Sequence, residues 1–240
     1  MNLAVDIGNS SSKLALFNGN EIAYLFKVEG APVSKVRDLT GRYDLDAIIV
    51  SDVSSLKDEN RSELISLKIP VHFLSSESMF PFSIEYRTGS SLGTDRLAAV
   101  AGAYNMWHAH NVLIIDAGTA VTYDLLTSSG VYKGGNISPG LSMRFKALNT
   151  YTGRLPLVYP RAEFKPLGDD TESAIRAGVQ LGLVFEINEY IRTFESRHKD
   201  LKVIVTGGDS DILSGHIKFS FTFAPDLIVE GLNYLLNYNA

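Results

Sequence analysis

Short blocks of hydrophobic and polar positions alternate along this chain, and their periods predict strands and helices. Near the N-terminus, three apolar-rich segments separated by polar turns predict a run of strands, and strands then alternate with amphipathic helices. This order predicts the α/β class, with mixed sheets that carry helices on their faces. The predicted strands cover 2–6, 12–17, 21–28, 47–53, 71–75, 112–116, 120–126, 131–136, 203–208 and 221–224. The predicted helices cover 32–40, 55–67, 93–107, 138–150, 171–198, 210–217 and 227–239.

The pattern that opens the chain returns in its middle. Apolar residues lead into Asp6 and Gly8 in "LAVDIGNSSSKLALF", and into Asp116 and Gly118 in "LIIDAGTAVTYDLL". The two aspartates lie 110 positions apart (116 − 6), which is close to half of the 240 residues. A repeat at this spacing predicts two related halves, an N-terminal half over 1–108 and a C-terminal half over 109–240.

Composition narrows the class of protein. The net charge is −5 with no block of like charges, which argues against a nucleic-acid partner that needs a broad basic surface. The absence of cysteine excludes disulfide scaffolds and zinc–thiolate sites. No apolar run is long enough to cross a bilayer, and the N-terminus has neither a charged leader nor a long apolar core. We therefore expect a cytoplasmic protein with no nucleic-acid or membrane partner.

The two D-x-G turns carry the residue types that a phosphate site needs. Glycine and small residues let backbone N–H groups approach a phosphate closely, and a nearby carboxylate serves a metal–nucleotide. The opening motif combines these features in one strand–turn–strand unit, although it matches neither the P-loop nor the dinucleotide fingerprint. The alternative is a pair of ordinary Asx-type turns. A third glycine turn, Gly207–Gly208, lies between a strand and a helix, where plain turns also carry glycine.

An acidic residue opens the predicted helix 93–107. In the simplest interpretation, Thr94 or Asp95 caps this helix and the acid complements the positive end of the helix dipole. The same position suits a base in phosphoryl transfer, because the dipole keeps the carboxylate ionised and the helix fixes it. The task of Asp95 would be to orient a hydroxyl and accept its proton, while Arg96 holds a polar or anionic group of the substrate.

Six motifs in a fixed order resemble those of type III pantothenate kinases. They are "DIGNSSSK", "GTDR", "DAGTAVTYD", "GGNISPG", "DTESAIRAG" and "VTGG", and they span almost the whole chain. That family belongs to the superfamily of acetate and sugar kinases, heat-shock chaperone ATPases and actin. The resemblance implies two ribonuclease-H-like halves and ATP-dependent phosphorylation of pantothenate to 4'-phosphopantothenate, the first step of coenzyme A biosynthesis. It also implies a homodimer that uses ATP with Mg2+ and a monovalent cation, K+ or NH4+.

The resemblance further implies roles for individual residues. Asp95 would be the catalytic proton acceptor, Asp116 would bind the monovalent cation, and Asp6 would lie close to the metal–nucleotide. The residues implied to contact the nucleotide are Asp6, Ile7, Gly8, Asn9, Ser10, Ser11, Ser12, Lys13, Thr119, Gly207 and Gly208. The residues implied to contact pantothenate are Tyr86, Gly93, Thr94, Asp95, Arg96 and Thr171, the last of them across the dimer interface.

Two other functions are compatible with the same fold. A kinase for a small sugar or carboxylic acid would share both D-x-G turns, but the "GTDR" and "DTESAIRAG" segments resemble the pantothenate branch. A non-catalytic regulator would keep the fold and lose one of the acids. Asp6, Asp95 and Asp116 are all present, which favours an enzyme.

Overall fold

The computed structural model describes residues 1–53 and 56–239, and the secondary structure follows the predicted order closely. Ser55, the first residue of the predicted helix 55–67, lies outside the described residues. The strands are β1 (Asn2–Ile7), β2 (Ser11–Asn18), β3 (Glu21–Glu29), β4 (Ala47–Asp52), β5 (Val71–Phe73), β6 (Ser83–Ile84), β7 (Val112–Ala117), β8 (Ala120–Leu126), β9 (Val131–Pro139), β10 (Lys202–Thr206) and β11 (Thr222–Phe223). The helices are α1 (Val33–Arg42), α2 (Asp58–Ile65), α3 (Thr94–Trp107), α4 (Leu141–Thr150), α5 (Thr171–Glu195), α6 (Ser210–Ser214) and α7 (Leu227–Tyr238), with a 3-10 turn at Gly89–Ser91.

The chain forms two compact units. Unit 1 comprises residues 1–108, 130–132 and 226–240, and unit 2 comprises residues 109–129 and 133–225. The C-terminal helix α7 therefore packs with the N-terminal part of the chain, although it follows the whole of unit 2 in sequence.

Unit 1 is built on a sheet with the order β3-β2-β1-β4-β5. β1 is the central strand, because it pairs antiparallel with β2 on one side and parallel with β4 on the other. Its residues Leu3 to Val5 are fully buried. A parallel pair brings the carboxyl ends of both strands to one edge of the sheet, where Asp6 lies in register with Ser51. Polar residues of two neighbouring strands therefore lie together at this edge.

Helices α3 and α7 of unit 1 approach each other at two glycines. A Cβ atom on Gly231 would lie 1.9 Å from the carbonyl oxygen of Ala98, and one on Gly102 would lie 2.5 Å from that of Leu227. Only glycine permits backbones to pass at this distance without displacement. The contact fixes the position of α3, and with it the position of the acid at the start of that helix.

Unit 2 contains five neighbouring strands in the order β11-β10-β7-β8-β9. β7 pairs antiparallel with β8 and parallel with β10, so the carboxyl ends of β7 and β10 lie side by side. α5 covers this sheet with apolar side chains that include Val179, Leu183 and Ile187. It begins at a capping box, in which the Asp170 side chain accepts from the Ser173 backbone N–H. Both units thus have the predicted mixed sheet with flanking helices.

Within the described part of the chain, no helix combines the length and the apolar character that a membrane span requires.

Candidate active site

Asp6 is the penultimate residue of β1 and carries a carboxylate that protein atoms almost enclose. Its Oδ1 atom is covered and has no hydrogen-bond partner among the described residues. Burial, followed by repulsion from the Asp95 carboxylate, raises the pKa of Asp6 to about 7, against smaller opposing effects of Ser51 and Lys13. Because the Asp6 and Asp95 carboxylates repel each other at this partly buried edge of the sheet, a cation or a hydrogen-bond donor placed there would be stabilised.

A short series of hydrogen bonds connects Asp6 to the start of α3. The Ser51 hydroxyl bonds to the Asp6 carboxylate, and its oxygen lies 3.0 Å from Thr94 Oγ1. Thr94 Oγ1 in turn accepts from the backbone N–H of Asp52 at 3.2 Å. Since each hydroxyl donates one bond and accepts another, the series holds the first turn of α3 against the ends of β1 and β4. Thr94, predicted to line the substrate site, uses its hydroxyl for this attachment.

The Asp95 carboxylate lies over the first turn of α3. Its Oδ1 accepts from the Arg96 backbone N–H at 2.8 Å, which places the charge at the positive end of the helix. A Cβ atom on Gly93 would lie 2.5 Å from this oxygen. Glycine at position 93 therefore leaves the space that the carboxylate occupies, and Asp95 remains partly exposed to solvent. The predicted position of the acid on a helix start is confirmed by these contacts, whereas its catalytic role stays a prediction.

Arg96 follows Asp95 in α3, and its side chain lies near Tyr86. The Arg96 side chain is buried, and its guanidinium carbon lies 5.7 Å from the centroid of the Tyr86 ring. This distance is within the range of a cation–π interaction. The structure therefore brings together Tyr86 and the Gly93–Arg96 segment, which the sequence analysis assigned to one substrate.

The turn between β1 and β2 is tight and polar. The Gly8 N–H donates to the Ser11 carbonyl at 3.1 Å, and a Cβ atom on Gly8 would meet the same oxygen at 3.1 Å. Ser12 is buried and donates to the Gly30 carbonyl, which joins the start of β2 to the end of β3, while Asn9 and Ser10 are exposed. The exposed tip of the turn is the part that a phosphate can reach.

Lys13 is attached to the start of α7. Its Nζ forms an ion pair with Asp226 Oδ1 at 3.1 Å, and about a third of each side chain is exposed. The sequence analysis missed Asp226, because 213 residues separate the partners. Lys13 also lowers the pKa of Asp6, which places its charge near that carboxylate.

The second D-x-G turn is assembled in the same way at the edge of unit 2. Asp116 ends β7 in register with Thr206 of β10, and the chain after β10 passes directly beside it. A Cβ atom on Gly207 would lie 2.4 Å from Asp116 Oδ1, and φ at Gly207 is +96°. Both facts require glycine there. The structure thus brings the glycine turn 207–208 against the Asp116 turn, as the predicted site requires.

Asp209 is a further acid at this edge that the sequence analysis did not select. Its backbone N–H donates to the Ala117 carbonyl at 2.8 Å, and its carboxylate accepts from the Leu141 N–H. Burial raises the pKa of Asp209, with the Leu141 bond opposing it. The only sequence signal was an acid directly after a double glycine, which is common in turns.

The other predicted contacts of unit 2 lie at two places. Thr119 is exposed at the tip of the D-x-G turn, and Gly208 has open space where a Cβ would be. Thr171 is exposed at the first residue of α5, immediately after the cap at Asp170.

The carboxylates fit a metal that is shared with a nucleotide. Among residues 1–53 and 56–239, no group of three or more His, Cys, Asp or Glu side chains forms a complete metal site. Mg2+ is usually held by one or two carboxylates together with substrate phosphates and water. Asp6 Oδ1, which has no hydrogen-bond partner among the described residues, has the chemistry of such a ligand.

A family model described as type III pantothenate kinase matches residues 2–193. The type III pantothenate kinase of Bacteroides fragilis is 41% identical over all of this chain and 98% of its own length. The corresponding protein of Phocaeicola vulgatus is 43% identical over all of this chain and 99% of its own. The chain belongs to the type III pantothenate kinase family. The predicted family is therefore confirmed.

Solved structures show the same fold at lower identity. A Campylobacter jejuni protein described as a Baf family transcriptional activator has a TM-score of 0.64, with 23% identity over 99% of this chain and 98% of that protein. A ROK family glucokinase of Streptomyces griseus has a TM-score of 0.53, with 14% identity over 99% and 98% of the two chains. Likeness to sugar kinases of this kind confirms the predicted fold class.

Ser51, which links Asp6 to Thr94, was not selected in the sequence analysis, although the sequence carried a signal for it. It interrupts the apolar run "AIIV" at the end of β4 and is fully buried, so its hydroxyl needs a partner. A polar residue that ends a buried strand was the available signal.

Proposed function

We propose that this type III pantothenate kinase family member transfers the γ-phosphoryl group of ATP to pantothenate and forms 4'-phosphopantothenate, the first step of coenzyme A biosynthesis. The observation that carries the proposal is the Asp95 carboxylate, partly exposed at the start of α3 and coupled to Asp6, with Arg96 and Tyr86 beside it. This arrangement supplies a base and a substrate-binding group at one edge of unit 1.

Asp95 acts as the base of the transfer. It accepts a hydrogen bond from the primary hydroxyl of pantothenate and orients the oxygen lone pair toward the γ-phosphorus. As the new O–P bond forms and the bond to the ADP oxygen breaks, the hydroxyl proton passes to Asp95. Arg96 pairs with the pantothenate carboxylate, since a guanidinium suits a planar anion.

Each unit carries one D-x-G turn whose residues suit contacts to a nucleotide. In unit 1, Asp6 would hold Mg2+, and Asn9, Ser10 and Lys13 would donate to phosphate oxygens. Mg2+ supplies charge neutralisation on the transferred group. In unit 2, Thr119 and the glycine turn 207–208 would contact ATP, and Asp116 would hold a monovalent cation. Asp116 Oδ1 and the Ala117 carbonyl oxygen both approach the same point beside Gly207, so this turn offers a carboxylate and a backbone oxygen as cation ligands.

A substrate panel tests the proposal. Purified protein with ATP and Mg2+ is assayed by ADP release in K+, NH4+ and Na+ buffers, with pantothenate, glucose, N-acetylmannosamine and acetate as acceptors. We expect turnover with pantothenate alone, supported by K+ or NH4+ more than by Na+, and a product mass increased by one phosphate. Turnover with a sugar or with acetate instead of pantothenate would contradict the proposed substrate, and equal rates in Na+ would contradict the cation at Asp116.

We further propose that the protein is a homodimer formed through the α4–α5 face of unit 2, and that it is cytoplasmic. An apolar groove of about 590 Å3 between the two helices is lined by Leu148, Tyr151, Ile175 and Val179 among others. Tyr151 is 86% exposed and Phe185 is 61% exposed, so both side chains have apolar surface that a second copy could bury. This face also carries Gly178 and Gly182, where an added Cβ would meet no described atom within 4 Å.

Phe185→Glu is expected to convert the dimer to a monomer. A charge on this exposed aromatic position is incompatible with burial between two copies, so light scattering after gel filtration falls from the mass of two chains to that of one. Ile65→Glu is the matched control, since Ile65 is 59% exposed on α2 of unit 1 and should leave the mass unchanged. A dimer that persists in Phe185→Glu would place the interface elsewhere.

A further inference from the structure

A set of side-chain contacts in unit 2 begins at Tyr123 and reaches α5. Tyr123 is fully buried on β8, and its ring stacks on Tyr190 with centroids 3.9 Å apart. Its hydroxyl donates to Glu186 Oε1 at 2.9 Å. The Glu186 carboxylate is therefore fixed by the core of the unit rather than free to rotate in solvent.

Arg144 of α4 connects this carboxylate to the end of β9. Its Nη2 donates to Glu186 Oε2 at 2.5 Å and to Ser138 Oγ at 2.8 Å, and its Nε donates to the Pro139 carbonyl at 2.7 Å. Partial burial opposes ionisation of Glu186, but the bonds from Arg144, Ser138 and Tyr123 outweigh it and hold its pKa below the usual value. The pair is ionic at neutral pH and is mostly shielded from water, with 21% and 24% of the two side chains exposed.

The segment that Arg144 holds lies directly on the second D-x-G turn. The Gly140 N–H donates to the Thr119 carbonyl at 3.1 Å. A Cβ atom on Gly140 would lie 2.2 Å from the Gly118 carbonyl oxygen, so the two backbones are in contact with no side chain between them. A displacement of residues 138–140 therefore displaces the turn.

We propose that Arg144, held by Glu186, is a positioning residue that keeps the Ser138–Gly140 segment against the Gly118–Thr119 turn and so maintains the nucleotide-binding geometry of that turn. The proposal rests on the proposed function in one respect, because it takes Thr119 to contact ATP. Arginine is required, since its planar guanidinium reaches three acceptors at once and an ammonium group does not do so in the same geometry.

Binding of a non-hydrolysable ATP analogue with Mg2+, measured by calorimetry, tests the proposal. We expect Arg144→Gln to lower the affinity for the analogue by about tenfold or more, because small displacements of binding groups have large effects on binding. Arg144→Lys should lie between Arg144→Gln and the parent. The double variant Arg144→Gln/Glu186→Gln should bind the analogue no more weakly than Arg144→Gln does, since the two residues act as one unit. Arg192→Gln is the matched control, because it breaks an exposed ion pair between Arg192 and Glu189, which both lie on α5 with Glu186.

The outcomes separate this proposal from the proposed function. Analogue affinity of Arg144→Gln within about twofold of the parent, or a loss equal to that of Arg192→Gln, would overturn the positioning role. Melting curves and gel filtration check the fold and the oligomeric state, and Glu186→Gln and Arg144→Lys carry the test if Arg144→Gln does not fold. A parent protein that binds the analogue but does not phosphorylate pantothenate overturns the proposed function only. A parent that binds no analogue overturns both.

Discussion

Asp95→Asn is expected to lower kcat with pantothenate by about 10²–10⁴-fold, the range associated with loss of a positioned general base. Asparagine keeps the size of the side chain and its bond to the Arg96 N–H. The asparagine amide cannot act as the base that accepts the proton of the attacking hydroxyl. Affinity for the ATP analogue should remain within a few fold of the parent, because Asp95 faces the acceptor in the proposed mechanism. Steady-state kinetics and calorimetry measure the two quantities.

Asp58→Asn provides the control for this variant. Asp58 also opens a helix, α2, and is exposed to solvent, so it shares the favourable dipole interaction without the surroundings of the site. Its turnover should equal that of the parent. Near-normal kcat in Asp95→Asn would show that another group receives the proton, or that the hydroxyl needs no base.

Asp6 should make the stability of the nucleotide-free protein depend on pH. Burial and the Asp95 charge raise its pKa to about 7 in the folded protein, from an ordinary value of 3.8. A carboxyl group with a raised pKa contributes its stabilisation in full below its unfolded value. The contribution is lost as the pH rises through the folded value. The free energy of unfolding is therefore expected to fall between about pH 4 and pH 7, by at most about 4 kcal/mol for this group.

Asp6→Asn tests this expectation because it removes the charge and keeps the shape. The variant should lose that part of the pH dependence in urea titrations and become more stable than the parent at pH 8. Its affinity for the ATP analogue with Mg2+ should fall by about tenfold or more, since the proposed metal ligand is lost. Asp58→Asn should retain the slope of the parent. An unchanged slope in Asp6→Asn would mean that Asp6 is ionised throughout this range.

Hydrophobic periodicity predicted the elements of this protein well. α3 was expected over 93–107 and spans Thr94–Trp107, and β1 was expected over 2–6 and spans Asn2–Ile7. The long helix predicted over 171–198 spans Thr171–Glu195. Such segments are predictable because their apolar faces and caps are local in sequence, as the capping box at Asp170 illustrates.

The residues that define each edge were also evident from the chain. Two turns with the same D-x-G pattern at half-chain spacing directed attention to Asp6 and Asp116, and an acid on a helix start directed it to Asp95. The structure places Asp95 close enough to Asp6 to raise its pKa, and Gly207 close to Asp116. The glycines were visible in the sequence, but only the structure shows that carboxylate oxygens of Asp95 and Asp116 lie beside Gly93 and Gly207.

The sequence by itself determined the strands, the helices and the acidic turns, because each depends on neighbours a few residues away. Only the tertiary structure decided which polar groups meet. Lys13 meets Asp226, Ser51 meets Thr94, and Arg144 meets Glu186 across separations of 213, 43 and 42 residues. The physical reason is that these bonds form where packed strands and helices bring distant backbone segments together, and a buried polar group then stabilises the fold only if its partner is already in place.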